Sequence, residues 1–156
     1  MIAVSMDIAA VKGFMGKLLR EDILDKFEVR GVELSLNIRI SINGVLESPD
    51  ANEEGPVSPG YISWETLRPM VYDIIKAGAK PRQIKIIFSY KAEDVKTIHP
   101  NAAALFLNMV YENDTVSFTT ATAQREFALD KSLDDSWDEW VRGFFVSKNI
   151  FVTDRE

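Results

Sequence analysis

Cysteine is absent from the 156 residues of this chain, and histidine occurs once, as His99. Without cysteine the chain cannot form disulfides, thiolate zinc sites, iron–sulfur clusters or a cysteine nucleophile. A single histidine cannot build a multi-histidine metal site. We therefore expect no metal and no cofactor, and a reducing compartment such as the cytoplasm.

Basic charge and long apolar runs are also scarce. The formal net charge is −6, whereas nucleic-acid affinity comes largely from a broad basic surface. No stretch approaches the roughly 18 apolar residues of a transmembrane helix, and residues 1–21 lack the early basic region of a signal peptide. We expect a cytoplasmic protein with no membrane contact and no nucleic-acid partner.

Catalytic motifs are missing as well. The sequence contains no phosphate-binding loop, no G-x-S-x-G elbow and no S-x-x-K motif. The acidic segment DANEEGPVSPGY partly matches a calcium loop but ends on Tyr61 where glutamate is required. His99 lies in KTIHPN without a recognisable nucleophile or orienting acid, which favours an ordinary polar loop residue. We predict no catalytic residue and favour a protein that is not an enzyme.

Alternating apolar residues indicate β-strands in three parts of the chain. Residues 31–44 alternate strictly and predict one long strand that ends in an Asn43-Gly44 turn. Residues 1–6 could form a short first strand, and Val45 and Leu46 start a short return strand after the turn. Residues 83–90 predict a further strand. Residues 103–111 and 115–129 predict a hairpin, with Asn113 and Asp114 in its turn.

Helical spacing follows three polar residues that can cap a helix. Asp7 precedes a stripe over residues 8–19, and Ser63 precedes one that stops at Gly78. Within the second stripe, Pro69 indicates either a kink or the true start of the helix. Ser132 and Asp135 predict a capping box for a third helix.

These elements predict a single α+β domain over residues 1–156. Its one antiparallel sheet is covered by about three helices, in the order β-α-β-β-(loop)-α-β-β-β-α. We predict that residues 47–60, which are rich in acids, proline and glycine, form a mobile surface loop.

The segment KSLDDSWDEWVRGFF, residues 131–145, combines four acids with four aromatic residues. Leu133, Trp137, Trp140, Val141, Phe144 and Phe145 recur at helical spacing and predict one broad apolar stripe. The acids are expected on another face, so that the segment closes the core. An aromatic surface for a partner protein is the alternative.

Two functions remain open from the residues alone. The first is protein–protein interaction, with another protein or as a homodimer, through a strand edge or an aromatic patch. The second is a pocket between sheet and helices for a small molecule, or a modest enzyme. For that pocket we nominate five ligand-binding residues: Tyr61, Trp64, Tyr90, His99 and Thr120. The basic cluster from Lys80 to Lys96 could instead bind an anion. A third idea, one half of a clamp-like or TATA-factor-like protein, rests only on the order of a helix followed by strands, which occurs twice. The acidic net charge argues against direct DNA contact.

Five segments together resemble a family of uncharacterised small proteins from clostridial bacteria. They are VKGFMGKLL, ISWETLRPMVYDIIKAGAKP, IKIIFSY, LFLNMVYENDTVSF and FALDKSLDDSWDEWVRGFF. The resemblance rests on core and turn patterning over nearly the whole chain. It implies a bacterial protein, but no activity and no site residue.

Overall fold

A computed structural model describes residues 1–47 and 60–155. Within them it has three α-helices: α1 (Ile8–Arg20), α2 (Trp64–Ala77) and α3 (Ser132–Ser147). Its seven strands are β1 (Ala3–Met6), β2 (Glu28–Ser35), β3 (Arg39–Asn43), β4 (Gln83–Ser89), β5 (Ala102–Glu112), β6 (Thr115–Gln124) and β7 (Val152–Asp154). A short 3-10 helix spans Ala92–Thr97. The loop predicted at 47–60 lies outside the described residues except for its two ends.

The seven strands form one antiparallel sheet in the order β3-β2-β4-β5-β6-β1-β7. This confirms the predicted α+β class, the antiparallel sheet and the order of elements as far as α3. Strand β7 was not predicted. Three residues are too few for alternation to be visible in a sequence.

Cross-strand pairing gives the sheet two different faces. One row across it comprises Ile42, Val32, Ile86, Met109, Phe118, Val4 and Asp154, and the five central members are buried. The next row comprises Ser41, Glu33, Lys85, Val110, Ser117, Ser5 and Thr153, none of them buried. Since neighbouring rows point to opposite faces, the sheet has one apolar face and one largely polar face.

All three helices pack on the apolar face through aromatic contacts. Phe14 of α1 meets Phe118 edge-on, with ring centroids 5.8 Å apart, and Phe145 of α3 lies 4.9 Å from the same ring. Trp64 of α2 packs edge-on against Phe88 at 5.5 Å. Such pairs add about 0.5–1.5 kcal/mol each beyond the burial of their area.

The single strand predicted over residues 31–44 is wrong, because the structure forms a hairpin there. Strands β2 and β3 flank a turn at residues 36–38, with Gly31 opposite Asn43 and Ser35 opposite Arg39. In this register odd-numbered residues pair with odd-numbered ones, and even-numbered residues pair with even-numbered ones. Even-numbered residues therefore lie on the same face in both strands. The alternation therefore continues through the turn, and Asn43-Gly44 is not a hairpin turn.

A β-bulge at Arg30 reverses the alternation within β2. The register shifts between Val29 and Gly31, so that odd-numbered Val29 and even-numbered Val32 both face the core. Gly44 lies against this bulge and donates its N–H to the carbonyl of Arg30 at 3.0 Å. A β-carbon at Gly44 would overlap the carbonyl oxygen of Val29.

The first two helices begin where the sequence predicts. Asp7 accepts the N–H of Ala9, and Ser63 accepts that of Thr66, as N-cap side chains do. Gly78 is the C-cap of α2. Pro69 neither starts nor ends α2 but lies inside it, where it removes the helical hydrogen bond to the carbonyl of Glu65.

The capping box predicted for the third helix is wrong. The N-cap of α3 is Lys131, with no side-chain hydrogen bond. The Ser132 hydroxyl is engaged elsewhere, because it donates to Asp130 and accepts from His99. Asp130 also accepts the N–H of Ser132 and thus supplies the missing cap from two residues upstream.

The aromatic stripe of α3 closes the core as predicted. Trp137 is fully buried, and Trp140 stacks between Trp137 and Phe144, at 5.2 and 5.4 Å. The four acids do not all lie on one solvent-exposed face. Asp135 and Glu139 are exposed, whereas two others turn to the sheet, where Asp134 accepts the hydroxyl of Thr122 and Asp138 that of Thr120.

Replacing Gly44 by alanine should destabilise the fold strongly. Because the new methyl group overlaps backbone atoms, we expect the free energy of unfolding in urea to fall by about 3 kcal/mol, the upper end of overpacking costs. Gly143→Ala is the control, since it lies in α3 with no atom near the added carbon and should gain up to about 1 kcal/mol. A Gly44→Ala variant as stable as the native chain would contradict the bulge contact.

Candidate functional site

Two of the five nominated residues belong to the packed interior. Trp64 is fully buried, and its indole N–H donates to the carbonyl of Leu18 at 3.3 Å, which joins the start of α2 to the end of α1. Thr120 is buried on β6, where its hydroxyl accepts the N–H of Ile2 and donates to Asp138. Both side chains already have their polar atoms satisfied.

Two further nominated residues, Tyr61 and Tyr90, stack on other side chains. The ring of Tyr61 lies 3.7 Å below the guanidinium of Arg30, at the bulge on the polar face. Tyr90 lies on the opposite side of the sheet, half-buried against Trp137 at 5.9 Å and Trp140 at 5.1 Å. They do not face a common space.

His99 has a serine and an aspartate close by, in an order unsuited to catalysis. Its Nδ1 accepts the N–H of Asn101 at 3.0 Å, so a neutral ring carries its proton on Nε2 and donates to Ser132 Oγ at 2.9 Å. The serine hydroxyl then donates to Asp130. A catalytic histidine instead accepts the serine proton and has its acid on the far nitrogen.

The five nominated residues therefore do not converge. The main concavities of residues 1–47 and 60–155 are lined by other side chains. Ligand binding by Tyr61, Trp64, Tyr90, His99 and Thr120 stays a prediction. The basic cluster is scattered too, since Lys80 and Arg82 precede β4, Lys85 points to the polar face, and Lys91 and Lys96 follow the strand.

A groove of about 550 Å³ lies between α1, α2 and the end of the sheet, and we call it the α1–α2 groove. Its walls are mainly apolar and comprise Ile8, Val11, Met15, Leu19, Ile75, Pro81 and Ile84. Four polar residues complete the lining: Lys12, Lys80, Tyr111 and Asp114. The α1 residues of the groove extend from Ile8 to Leu19, along most of that helix, whereas α2 contributes Ile75 near its end.

Three of these polar groups meet at one atom, and we call them the polar end of the groove. Lys80 Nζ donates to Asp114 Oδ1 at 2.8 Å, and the Tyr111 hydroxyl donates to the same oxygen at 3.0 Å. Asp114 is fixed by the tight β5–β6 turn, in which Asn113 and Asp114 have φ of 51° and 58°. These left-handed values suit asparagine and aspartate.

Proton affinities are shifted throughout the polar end. The hydrogen bond from Lys80, followed by that from Tyr111, lowers the pKa of Asp114. The bond to Asp114 raises the pKa of Lys80. Burial, then the bond to Asp114, raises the pKa of Tyr111. At neutral pH the lysine and aspartate are charged and the tyrosine is protonated.

A second and larger hollow, of about 730 Å³, lies on the other side of the polar end. It is bounded by the β2–β3 turn, the β5–β6 turn and residues 80–83. Lys80, Pro81, Tyr111 and Asp114 line both concavities. The polar end is thus a narrow partition between them.

The sequence identifies the β5–β6 turn but not its partners. Asn113-Asp114 between two strands is a recognisable hairpin signal, and the structure confirms it. Lys80 is 34 residues away from Asp114. No local pattern links a residue after α2 to a turn in the next hairpin, so the polar end could not be found from spacing.

The residues that the structure describes contain neither a cluster of metal-ligating side chains nor a helix of membrane-spanning length and apolarity. No three histidine, aspartate or glutamate side chains of residues 1–47 and 60–155 are grouped so as to hold a metal ion. None of the helices in these residues is long and apolar enough to span a membrane.

The fold is that of an α+β domain with an antiparallel sheet and helices on one face. Among known families, the chain belongs to the one described as "Family of unknown function (DUF5721)", whose model matches residues 17–153. This agrees with the resemblance to a family without an assigned activity. No curated protein and no solved structure matches the chain. The matched range includes the polar end, whereas Lys12 and Met15 precede it.

Removing Lys80 should raise the pKa of Asp114 towards the ordinary aspartate value, since the lysine bond is the main cause of its shift. We expect carboxyl-carbon NMR titrations of Lys80→Met to show this change. The pKa of Asp130 should stay low, because it depends on Ser132. Ser132→Ala should raise the pKa of Asp130 and leave that of Asp114 low. A change of both pKa values in either variant would contradict these two causes.

The same shift sets a pH dependence of stability. Because Asp114 has a lower pKa in the folded chain, its pair with Lys80 contributes stability above the unfolded pKa. That contribution is lost as the pH falls through the folded pKa. Asp114→Asn should therefore flatten this part of the acid unfolding curve.

Proposed function

We propose that this chain binds a small, mostly apolar molecule in the α1–α2 groove and catalyses no reaction on it. The main support is an apolar groove of about 550 Å³ that ends on three polar groups. Ligand sites commonly measure about 300–1,000 Å³ and combine apolar walls with a few oriented polar groups. The sequence alone ranks protein–protein interaction first, and the groove reverses that order.

The walls of the groove can gain from being covered. Ile8 is 66% exposed, although it lies on the same stripe as buried Val11. Covering such a side chain is worth about 25 cal/mol for each Å² of apolar surface removed from water. Met15, about two turns further along α1, is a half-buried part of the same wall, and methionine adapts its shape to irregular ligands.

The state of the polar groups supports binding without reaction. Lys80 and Asp114 neutralise each other, and the raised pKa of Tyr111 keeps it protonated. A general base works best when its pKa is close to the working pH. At the polar end the pKa of each of the three groups is shifted away from neutral pH.

An uncharged fluorescent probe, N-phenyl-1-naphthylamine, tests the groove directly. We expect saturable binding to the native chain with a blue-shifted emission. Met15→Trp fills the groove and should weaken probe binding at least about tenfold, because a clash there excludes the ligand. Met70→Trp is the matched control, since Met70 is 51% exposed on α2 and does not line the groove. Equal binding by both variants would contradict the proposal.

Protein–protein interaction is a second candidate, supported by the loop between β6 and α3. In residues 125–131, Phe127 and Leu129 are each 85% exposed. Two side-chain amides hold the backbone of this loop. Asn101 makes a pair of hydrogen bonds with the backbone of Glu126, and Gln124 makes a pair with that of Ala128.

This amide-held loop resembles a prepared contact surface. A large apolar side chain contributes about 1.5–3 kcal/mol when it is buried. Because the backbone is already held, less conformational entropy is lost when a partner covers it. The partner could be another protein or a second copy of the chain, and a purified chain tests self-association.

Sedimentation velocity over a range of concentrations tests this second candidate. We expect the native chain to form dimers and the double variant Phe127→Ser, Leu129→Ser to be monomeric, because it lacks the exposed apolar pair. Val146→Ser with Phe151→Ser is the control, since these residues are 72% and 73% exposed near the other end of α3. A native chain that is monomeric at every concentration would contradict self-association.

A further inference from the structure

The charges around the α1–α2 groove are few and unequal. Among the lining residues that the structure describes, Lys12 and Lys80 are the cations and Asp114 is the single anion, while the others are uncharged at neutral pH. The groove therefore has a charge of +1 in a protein whose formal net charge is −6. Local charge opposite to that of the whole molecule favours an anionic ligand in this groove.

The two hydrogen-bond donors of the polar end are occupied by a carboxylate of the chain itself, that of Asp114. One of its oxygens accepts from both Lys80 and Tyr111. Their donor groups thus converge on a single carboxylate oxygen at the mouth of an apolar groove. A ligand carboxylate reaching this mouth would meet the same pair of donors.

The ion pair between Lys80 and Asp114 can easily be replaced by an ion pair between Lys80 and a ligand. Their side chains are 71% and 62% exposed, and exposed ion pairs are weak because water screens them. The backbone of Asp114 is fixed by the turn, whereas its side chain can rotate into solvent. Lys80 can therefore change partner without unfolding any element.

We propose that the ligand of the α1–α2 groove is a monoanionic amphipathic carboxylate, with its apolar body between α1 and α2 and its carboxylate bound by Lys80, Tyr111 and Lys12. Asp114 is an internal competitor for those donors and limits the affinity. The inference rests on the ligand-binding function proposed above and names the chemical class of its ligand.

Three ten-carbon compounds with different head groups test the inference: decanoate, decanol and decylamine. Displacement of N-phenyl-1-naphthylamine from the native chain gives the affinity of each, below the concentration at which it forms micelles. We expect decanoate to bind more tightly than decanol, and decylamine to bind most weakly. Decanol binding as tightly as decanoate would overturn the inference.

Single substitutions separate the charges. Lys12→Met should weaken decanoate about two- to fivefold, the range of an exposed charge pair, and should change decanol binding less. Asp114→Asn should tighten decanoate by a similar factor, because it removes the competitor, and asparagine tolerates the left-handed turn. Lys17→Met is the control, since Lys17 lies on α1 outside the groove. An equal effect of Asp114→Asn on decanoate and decanol would overturn the role of Asp114.

Failure of the two proposals can be told apart. If the native chain does not bind the uncharged probe, the groove is not a ligand site, and both proposals are overturned. If the probe binds and Met15→Trp blocks it, but the three head groups compete equally, only the anionic ligand is overturned.

Discussion

One-sided burial of the sheet is the constraint on which the rest of this structure depends. Three helices cover the apolar face, so the long strands direct most of their large apolar side chains to that face. Phe88 and Phe118 receive aromatic residues from all three helices. A shift of one residue in any central strand would turn such a ring into solvent and a polar side chain into the core. The bulge at Arg30 meets the same constraint, since it returns Val29 to the covered face.

The sequence predicted what depends on neighbouring residues and missed what depends on pairing. Asp7 and Ser63 cap their own helices, and Asn113-Asp114 makes its own turn, so each was recognised from a few letters. The turn at residues 36–38 was missed because pairing across it preserves the alternation that identifies a strand. Asp130 replaced Ser132 at the start of α3 because the Ser132 hydroxyl also contacts His99, 33 residues away.

The candidate site depends almost entirely on contacts between residues that are distant in the sequence. The nominated residues are expected in a pocket between sheet and helices, but Trp64 and Thr120 are buried in the core, where their polar atoms already have partners. The groove instead arises from aliphatic residues of two helices and a charged pair joined across 34 positions. Aliphatic residues at helical spacing predict a buried stripe, and nothing in the pattern marks Ile8 as the member that stays exposed.

The order of the strands also bears on aggregation. An open sheet can grow by pairing its outer strands with another chain, and short edge strands reduce that risk. In the described part of the chain the outer strands are β3, with five residues, and β7, with three, whereas the central strands β5 and β6 have eleven and ten. The longest strand, β5, thus pairs with a strand on each side, and growth of the sheet at its two ends would have to start from the short strands β3 and β7.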